Sequence, residues 1–149
     1  MADLAPRIRE NTAIAFPNGN PHGRILIVDD ALIIRASLRA IITEAGHTVV
    51  GEASTGREAV SLYHLFRPDI IMMDITMPDR DGLAAMEEIL ASGSNVCVII
   101  CTAIQFKHVA TNAIKRGAYD FITKPFRPQS VLQAIDGALG RLDSCIPGG

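Results

Sequence analysis

The sequence predicts a doubly wound α/β fold: a five-stranded parallel sheet of order 2-1-3-4-5 with helices on both faces. Two observations carry this. Short apolar runs alternate five times with segments of helical periodicity, the pattern of consecutive β-α units. The runs are also nearly unbroken in Ile, Val, Leu and Met, as in strands covered on both faces. Right-handed crossovers make 2-1-3-4-5 the simplest closed arrangement of five such units.

Each element follows from its residues. Strand one is Ile25-Leu26-Ile27-Val28, preceded by Arg24 and ending in Asp29-Asp30. Ile34, Leu38, Ile41 and Ala45 then fall at i, i+4, i+7 and i+11, and Gly46 is a natural helix stop. Residues 47–53 form strand two. Ser54 or Thr55 caps a helix carrying Ala59, Leu62, Tyr63 and Phe66. Pro68 opens strand three at 69–74, and Met77-Pro78 and Asp81-Gly82 mark a loop. Leu83, Met86, Ile89 and Leu90 line the third helix, which Ser92-Gly93 ends. Strand four is 95–102. The fourth helix carries Val109, Ala113 and Ile114 and stops at Gly117. Strand five is 118–123, before Lys124-Pro125. The last helix starts near Pro128 and buries Leu132, Ile135 and Leu139.

Composition narrows the function. The chain has 149 residues, 48% apolar, enough for one domain with a real core. Lys plus Arg number 14 and Asp plus Glu 16, so there is no basic footprint for nucleic acid. The apolar runs are far too short to span a bilayer. Residues 1–23 hold Pro6, Pro17 and Pro21 among Asn and Gly and read as a disordered tail. Three cysteines, Cys97, Cys101 and Cys145, without C-x-x-C, argue against a disulfide framework or zinc ribbon and for a reducing, cytoplasmic setting. Cys97 and Cys101, four apart on one strand, read as small buried residues. His22, His47, His64 and His108 lack ligand spacing. Gly51-Glu-Ala-Ser-Thr-Gly56 has P-loop glycine spacing but continues Arg57-Glu58, so it is no phosphate loop.

In doubly wound sheets the site lies at the carboxyl ends of the strands, beside the switch point. Here those ends carry Asp29-Asp30, Asp74, Thr102 and Lys124. Strands one and three are neighbours in the predicted order, so three carboxylates converge on one rim. Carboxylates that close repel each other unless cations balance them. Lys124 is one such cation, and Mg²⁺ suits a site of few carboxylates with room for water and phosphate oxygen. An aspartate in that setting is an apt nucleophile for phosphoryl transfer. Each signal alone is commonplace; an Asp-Asp after a strand is often only a turn or a cap. Their joint placement on four strand ends is what points to chemistry.

At these residues the sequence resembles the receiver domains of two-component response regulators, of the stand-alone, CheY-like chemotaxis type and flavodoxin-like in fold. The matching stretches are Ile25-Leu-Ile-Val-Asp-Asp30, Pro68-Asp-Ile-Ile-Met-Met-Asp74-Ile-Thr-Met-Pro78 with Asp81-Gly82, Cys101-Thr102-Ala103, and Gly117-Ala-Tyr-Asp-Phe-Ile-Thr-Lys124-Pro125-Phe126. The resemblance implies a receiver at 24–143, a short tail at 144–149 and no attached output domain. It implies that Asp74 accepts a phosphoryl group from a histidine kinase. Mg²⁺, with Mn²⁺ as the alternative, would bind Asp30, Asp74 and the Thr76 backbone carbonyl, with Asp29 acting through water. Lys124, before a cis peptide to Pro125, and Thr102 would contact the phosphoryl group. Phe121 would change rotamer with Thr102 and so alter the surface of helix four, strand five and helix five.

Further expectations follow from the same resemblance. Many relatives have Tyr where this chain has Phe121, so any switching here runs through packing alone. Ile104, two residues after Thr102, would restrict the attacking water and slow self-dephosphorylation. The implied partners of this monomer are a histidine kinase, a downstream protein such as a flagellar-motor switch protein, and a phosphatase, with no nucleic acid or membrane. It is not a metabolic enzyme; its catalysis is limited to weak self-phosphorylation and self-dephosphorylation. Two alternatives stand beside this. A haloacid-dehalogenase-like phosphatase also uses an aspartyl-phosphate, but expects D-x-D on strand one and a cap insertion. A degenerate receiver would be a constitutive protein-binding module.

Overall fold

The computed structural model describes residues 22–75, 82–93 and 95–144. The predicted tails therefore lie outside the described residues, apart from positions 22, 23 and 144. The elements run β1 (Arg24–Val28), α1 (Leu32–Glu44), β2 (Thr48–Ala53), α2 (Gly56–Phe66), β3 (Ile70–Met73), α3 (Gly82–Ala91), β4 (Cys97–Ala103), α4 (Lys107–Lys115), β5 (Asp120–Lys124) and α5 (Pro128–Ser144). A single 3-10 turn, Ile104–Phe106, joins β4 to α4. The five strands are all parallel and ordered β2-β1-β3-β4-β5, as the sequence predicts.

The alternation of side chains along each strand divides the core into two layers. Leu26, Val28, Ile71, Met73, Val98 and Ile100 pack with Ala59 and Tyr63 of α2, Met86 and Ile89 of α3, and Ala110 and Ala113 of α4. Ile25, Ile27, Ile70, Met72, Ile99 and both Cys97 and Cys101 pack with Leu38 and Ile42 of α1 and Val131, Ile135 and Leu139 of α5. Both thiols are buried and neither is in a disulfide, and burial pushes the Cys101 thiol far above its ordinary range. On α5, Ile135 and Leu139 are buried as expected, but the first core position is Val131, which is fully buried, and Leu132 is only partly so. In α1 the buried positions are Leu38 and Ile42, with Ile41 at the edge.

Local signals account for the element ends. The Thr55 hydroxyl accepts the Glu58 N–H at 3.1 Å, and the Glu58 carboxylate accepts the Ser54 N–H at 2.7 Å, a reciprocal cap on α2. Gly46 and Gly117, at φ 93° and 121°, take the left-handed conformation that stops α1 and α4. Strand bounds are shifted from those expected because apolar runs extend past the paired residues: β5 begins at Asp120 and includes Lys124 itself. His47 is a core histidine rather than a ligand. It is buried, and its Nδ1 accepts the Gly23 N–H at 2.9 Å, tying the entry of β1 to β2. Among the described residues no helix is long and apolar enough to cross a membrane.

Candidate functional site

Register builds the site. Val28 lies opposite Met73, so β1 and β3 release Asp29-Asp30 and Asp74 side by side. The ladder continues one residue past each strand: the Asp74 N–H donates to the Val28 carbonyl at 2.8 Å and the Asp29 N–H to the Ala53 carbonyl at 3.0 Å. One carboxylate oxygen from each of Asp29, Asp30 and Asp74 lies within 4.8 Å of the other two. Asp29 is 1% and Asp74 5% exposed, whereas Asp30 is open to solvent.

The cation comes from the other side of the sheet. Ala103 pairs with Lys124 and Thr102 with Thr123, which brings both functional residues to the same rim. Lys124 Nζ donates to Asp29 Oδ2 at 2.6 Å and stands 3.4 Å from Asp74 Oδ2. Its closer partner is thus Asp29. The Lys124–Pro125 peptide is cis. Burial raises the Asp29 carboxyl above its ordinary pKa even though Lys124 and the Ala31 N–H oppose it. Burial works against the Lys124 ammonium, but Asp29 and Asp74 outweigh it and hold its pKa above the usual value.

These residues fit a divalent cation. Three carboxylates cluster beside the Lys124 ammonium, and hard oxygen donors around a part-open space are what Mg²⁺ takes. The Thr102 hydroxyl gives a second, independent sign. It is 1% exposed, and its Oγ1 has no hydrogen-bond partner among the described residues. A buried hydroxyl left unpaired costs about 1–3 kcal/mol, so it marks a place where an incoming oxygen would be bonded. Phe121 pairs with Ile100, two residues before Thr102 on the same face of the sheet, and packs against that layer of the core. A groove of about 570 Å³ beside it is lined by Ile104, Lys107, Phe121, Pro125, Phe126 and Gln133, and faces outward between α4, β5 and α5. Thr76 lies outside the described residues.

Two supports for the site carried no functional signal in the sequence beyond a loop mark and a helix surface. Gly82, the first residue of α3, approaches the Asp74 backbone so closely that a Cβ there would fall 2.1 Å from the Asp74 carbonyl oxygen. Arg35, on α1, donates to the Asp29 carbonyl at 2.8 Å. Gly82 was legible as part of Asp81-Gly82; a lone Arg one turn into a helix is not distinguishable from a solvated surface residue.

Comparison with known proteins agrees with this geometry. The response regulator receiver domain family matches residues 25–136. A chemotaxis protein CheY of Thermotoga maritima is 49% identical over 113 residues, covering 76% of this chain and 94% of its own. A CheY of Bacillus subtilis is 43% identical over 116 residues, covering 78% and 97%. Among solved structures, the receiver domain of NtrX from Brucella abortus superposes with a TM-score of 0.73 at 31% identity, covering 78% of this chain and 98% of that one. A response regulator receiver domain protein from Clostridium thermocellum gives 0.78 at 26% identity, covering 83% and 98%.

Proposed function

The chain belongs to the response regulator receiver family, and from that premise we propose that Asp74 is its phosphoacceptor. The observation that carries the reading is the convergence of Asp29, Asp30 and Asp74 within 4.8 Å of one another, with Lys124 in reach of two of them. An Asp74 carboxylate oxygen attacks the phosphorus of a phosphohistidine on a histidine kinase. The P–O bond forms, the P–N bond breaks, and the electron pair leaves on the imidazole nitrogen, which then takes up a proton. Small phosphodonors such as acetyl phosphate serve the same attack, with acetate leaving, and water slowly hydrolyses the aspartyl-phosphate, releasing inorganic phosphate and restoring the Asp74 carboxylate.

The remaining groups manage charge. Asp30 and Asp74 would hold Mg²⁺ directly and Asp29 through water, and the ion would neutralise oxygens of the transferring phosphoryl group. Lys124 balances the same oxygens from the β5 side. Thr102 donates its buried hydroxyl, which has no partner among the described residues, to one of them. That bond draws β4 inward, and Phe121, on the same face, repacks and biases the α4-β5-α5 surface between two states. The CheY relatives and the stretch Met73-Asp74-Ile75-Thr76-Met77-Pro78 support a chemotaxis role, with a flagellar-motor switch protein as downstream partner and a phosphatase to reset it. A reducing cytoplasm suits cysteines that form no disulfide, and those partners.

The test is incubation with Mg²⁺ and acetyl phosphate followed by intact-mass measurement. Wild type gains one phosphoryl adduct and Asp74→Asn gains none. Failure of wild type to gain an adduct that the variant lacks would overturn the assignment. Equal binding of a partner by both forms, with and without phosphodonor, would instead favour a constitutive binding module.

A further inference from the structure

The Asp29-Asp30 pair is held very unevenly. Asp29 is fixed at every polar atom. Its N–H donates to the Ala53 carbonyl, its Oδ1 accepts the Ala31 N–H at 2.8 Å, its Oδ2 accepts Lys124, and its carbonyl accepts Arg35. The Asp30 carboxylate is exposed and has no hydrogen bond or ion pair with any described residue. What places Asp30 is therefore its backbone, and above all the Asp29–Asp30 peptide plane. The Asp29 carbonyl is the oxygen of that peptide, and Arg35 grips it at 2.8 Å.

Arg35 is itself anchored. Its Nε donates to Glu52 Oε1 at 3.0 Å, while Arg39 binds the other Glu52 oxygen. Burial works against the Glu52 charge, but Arg39 and Arg35 outweigh it and keep its carboxyl below the usual range, so it stays an anion at neutral pH. Glu52 sits on β2 opposite Ile27, directly below the end of β1. One guanidinium thus spans β2, α1 and the β1 terminus. Its planar fork is suited to that: one edge faces a carboxylate and another N–H remains for a carbonyl.

We infer that Arg35 is a positioning residue for the acidic site: with Glu52 as its anchor, it locks the Asp29–Asp30 peptide and so aims the Asp30 carboxylate. This rests on the reading of Asp29, Asp30 and Asp74 as a divalent-cation site. The inference has a sign that a purely electrostatic role lacks. Removing a positive charge beside an acidic cluster should tighten cation binding. Removing a clamp on a ligand's backbone should weaken it, by about tenfold where outer partners orient ligands.

The experiment is a Mn²⁺ titration of the full chain, reading free ion by electron paramagnetic resonance, at a temperature where melting curves show every variant folded. Arg35→Gln is expected to weaken binding about tenfold. Arg35→Lys, which keeps the charge but loses the fork, recovers only part of the loss. Glu52→Gln, which leaves Arg35 without its anchor, weakens binding in the same direction. Arg39→Gln removes an equal charge from the same carboxylate but touches nothing at Asp29, and it leaves affinity unchanged or tighter. Unchanged or tighter binding by Arg35→Gln, or full recovery by Arg35→Lys, would overturn the clamp while leaving the cation site intact. No Mn²⁺ binding by wild type would overturn the cation site and the clamp with it.

Discussion

Replacing Gly82 with alanine tests how tightly the phosphoacceptor's backbone is held. The added Cβ would lie 2.1 Å from the Asp74 carbonyl oxygen, 2.7 Å from Ile75 Cα and 2.9 Å from the Asp74 carbonyl carbon. All three are backbone atoms, so no side chain can rotate away. Reaching an ordinary contact of 3.4 Å from the oxygen requires a shift of about 1.3 Å. The Gly82 N–H also donates to the Ile75 carbonyl at 3.2 Å, so pushing α3 away strains that bond too. Overpacking of this kind costs about 1–3 kcal/mol. At about 4 °C per kcal/mol for a domain of this size, the melting temperature should fall by about 4–12 °C. Misplacing a reacting group by about 1 Å costs on the order of a hundredfold in rate. Phosphorylation by acetyl phosphate, followed by mass, should therefore slow far more than stability alone explains. Gly140→Ala is the control: its Cβ meets nothing within 4 Å, and helix propensity predicts a gain of about 0.5–1 kcal/mol. A Gly82→Ala protein with wild-type melting temperature and phosphorylation rate would refute the reasoning.

Three further outcomes are expected. Excess Mg²⁺ should raise the melting temperature over that in EDTA, by the linkage of about 2.7 kcal/mol at a hundred times Kd; Asp30→Asn should remove most of that gap and, in EDTA, melt no lower than wild type. Burial, then the neighbouring His22, lower the His47 pKa from 6.5 against the pull of Asp136. A lowered folded-state pKa means the contribution is full above about pH 6.5 and is lost as pH falls through the folded value. His47→Asn, which keeps an acceptor for the Gly23 N–H, should flatten that part of the stability profile in denaturant melts from pH 7.5 to 5; an unchanged slope would count against it. Ile104 is 60% exposed on the turn after β4, two residues beyond Thr102, and we propose that its apolar side chain hinders the water that attacks a phosphorylated Asp74. Phosphorylated wild type should lose its label more slowly than phosphorylated Ile104→Glu, and equal decay would sink the idea.

The sequence by itself determined the strands, their order and the side chains at their carboxyl ends. Runs such as Ile25–Val28 and Ile70–Met73 have no polar face to expose, so they can only be interior strands, and β-α alternation leaves few ways to join them. Parallel register then puts the residues at or just past the carboxyl end of each strand on one rim, which is why Asp29, Asp30, Asp74, Thr102 and Lys124 could be named from position alone. Element edges were less legible, because propensity changes gradually whereas pairing stops where a partner stops; Val131 rather than Leu132 fills the core for the same reason.

Only the tertiary structure decided how those groups are held. Lys124 bonds Asp29 at 2.6 Å and stands farther from Asp74, a choice made by the β4–β5 register and by how deeply each carboxylate is buried. Arg35 reaches Asp29 across a helical turn and is braced by Glu52 on another strand. Gly82 is needed because α3 starts against the Asp74 backbone. These are through-space contacts between segments far apart in the chain. No local pattern encodes them, because contact distance is set by the packing of whole elements and not by the residues on either side.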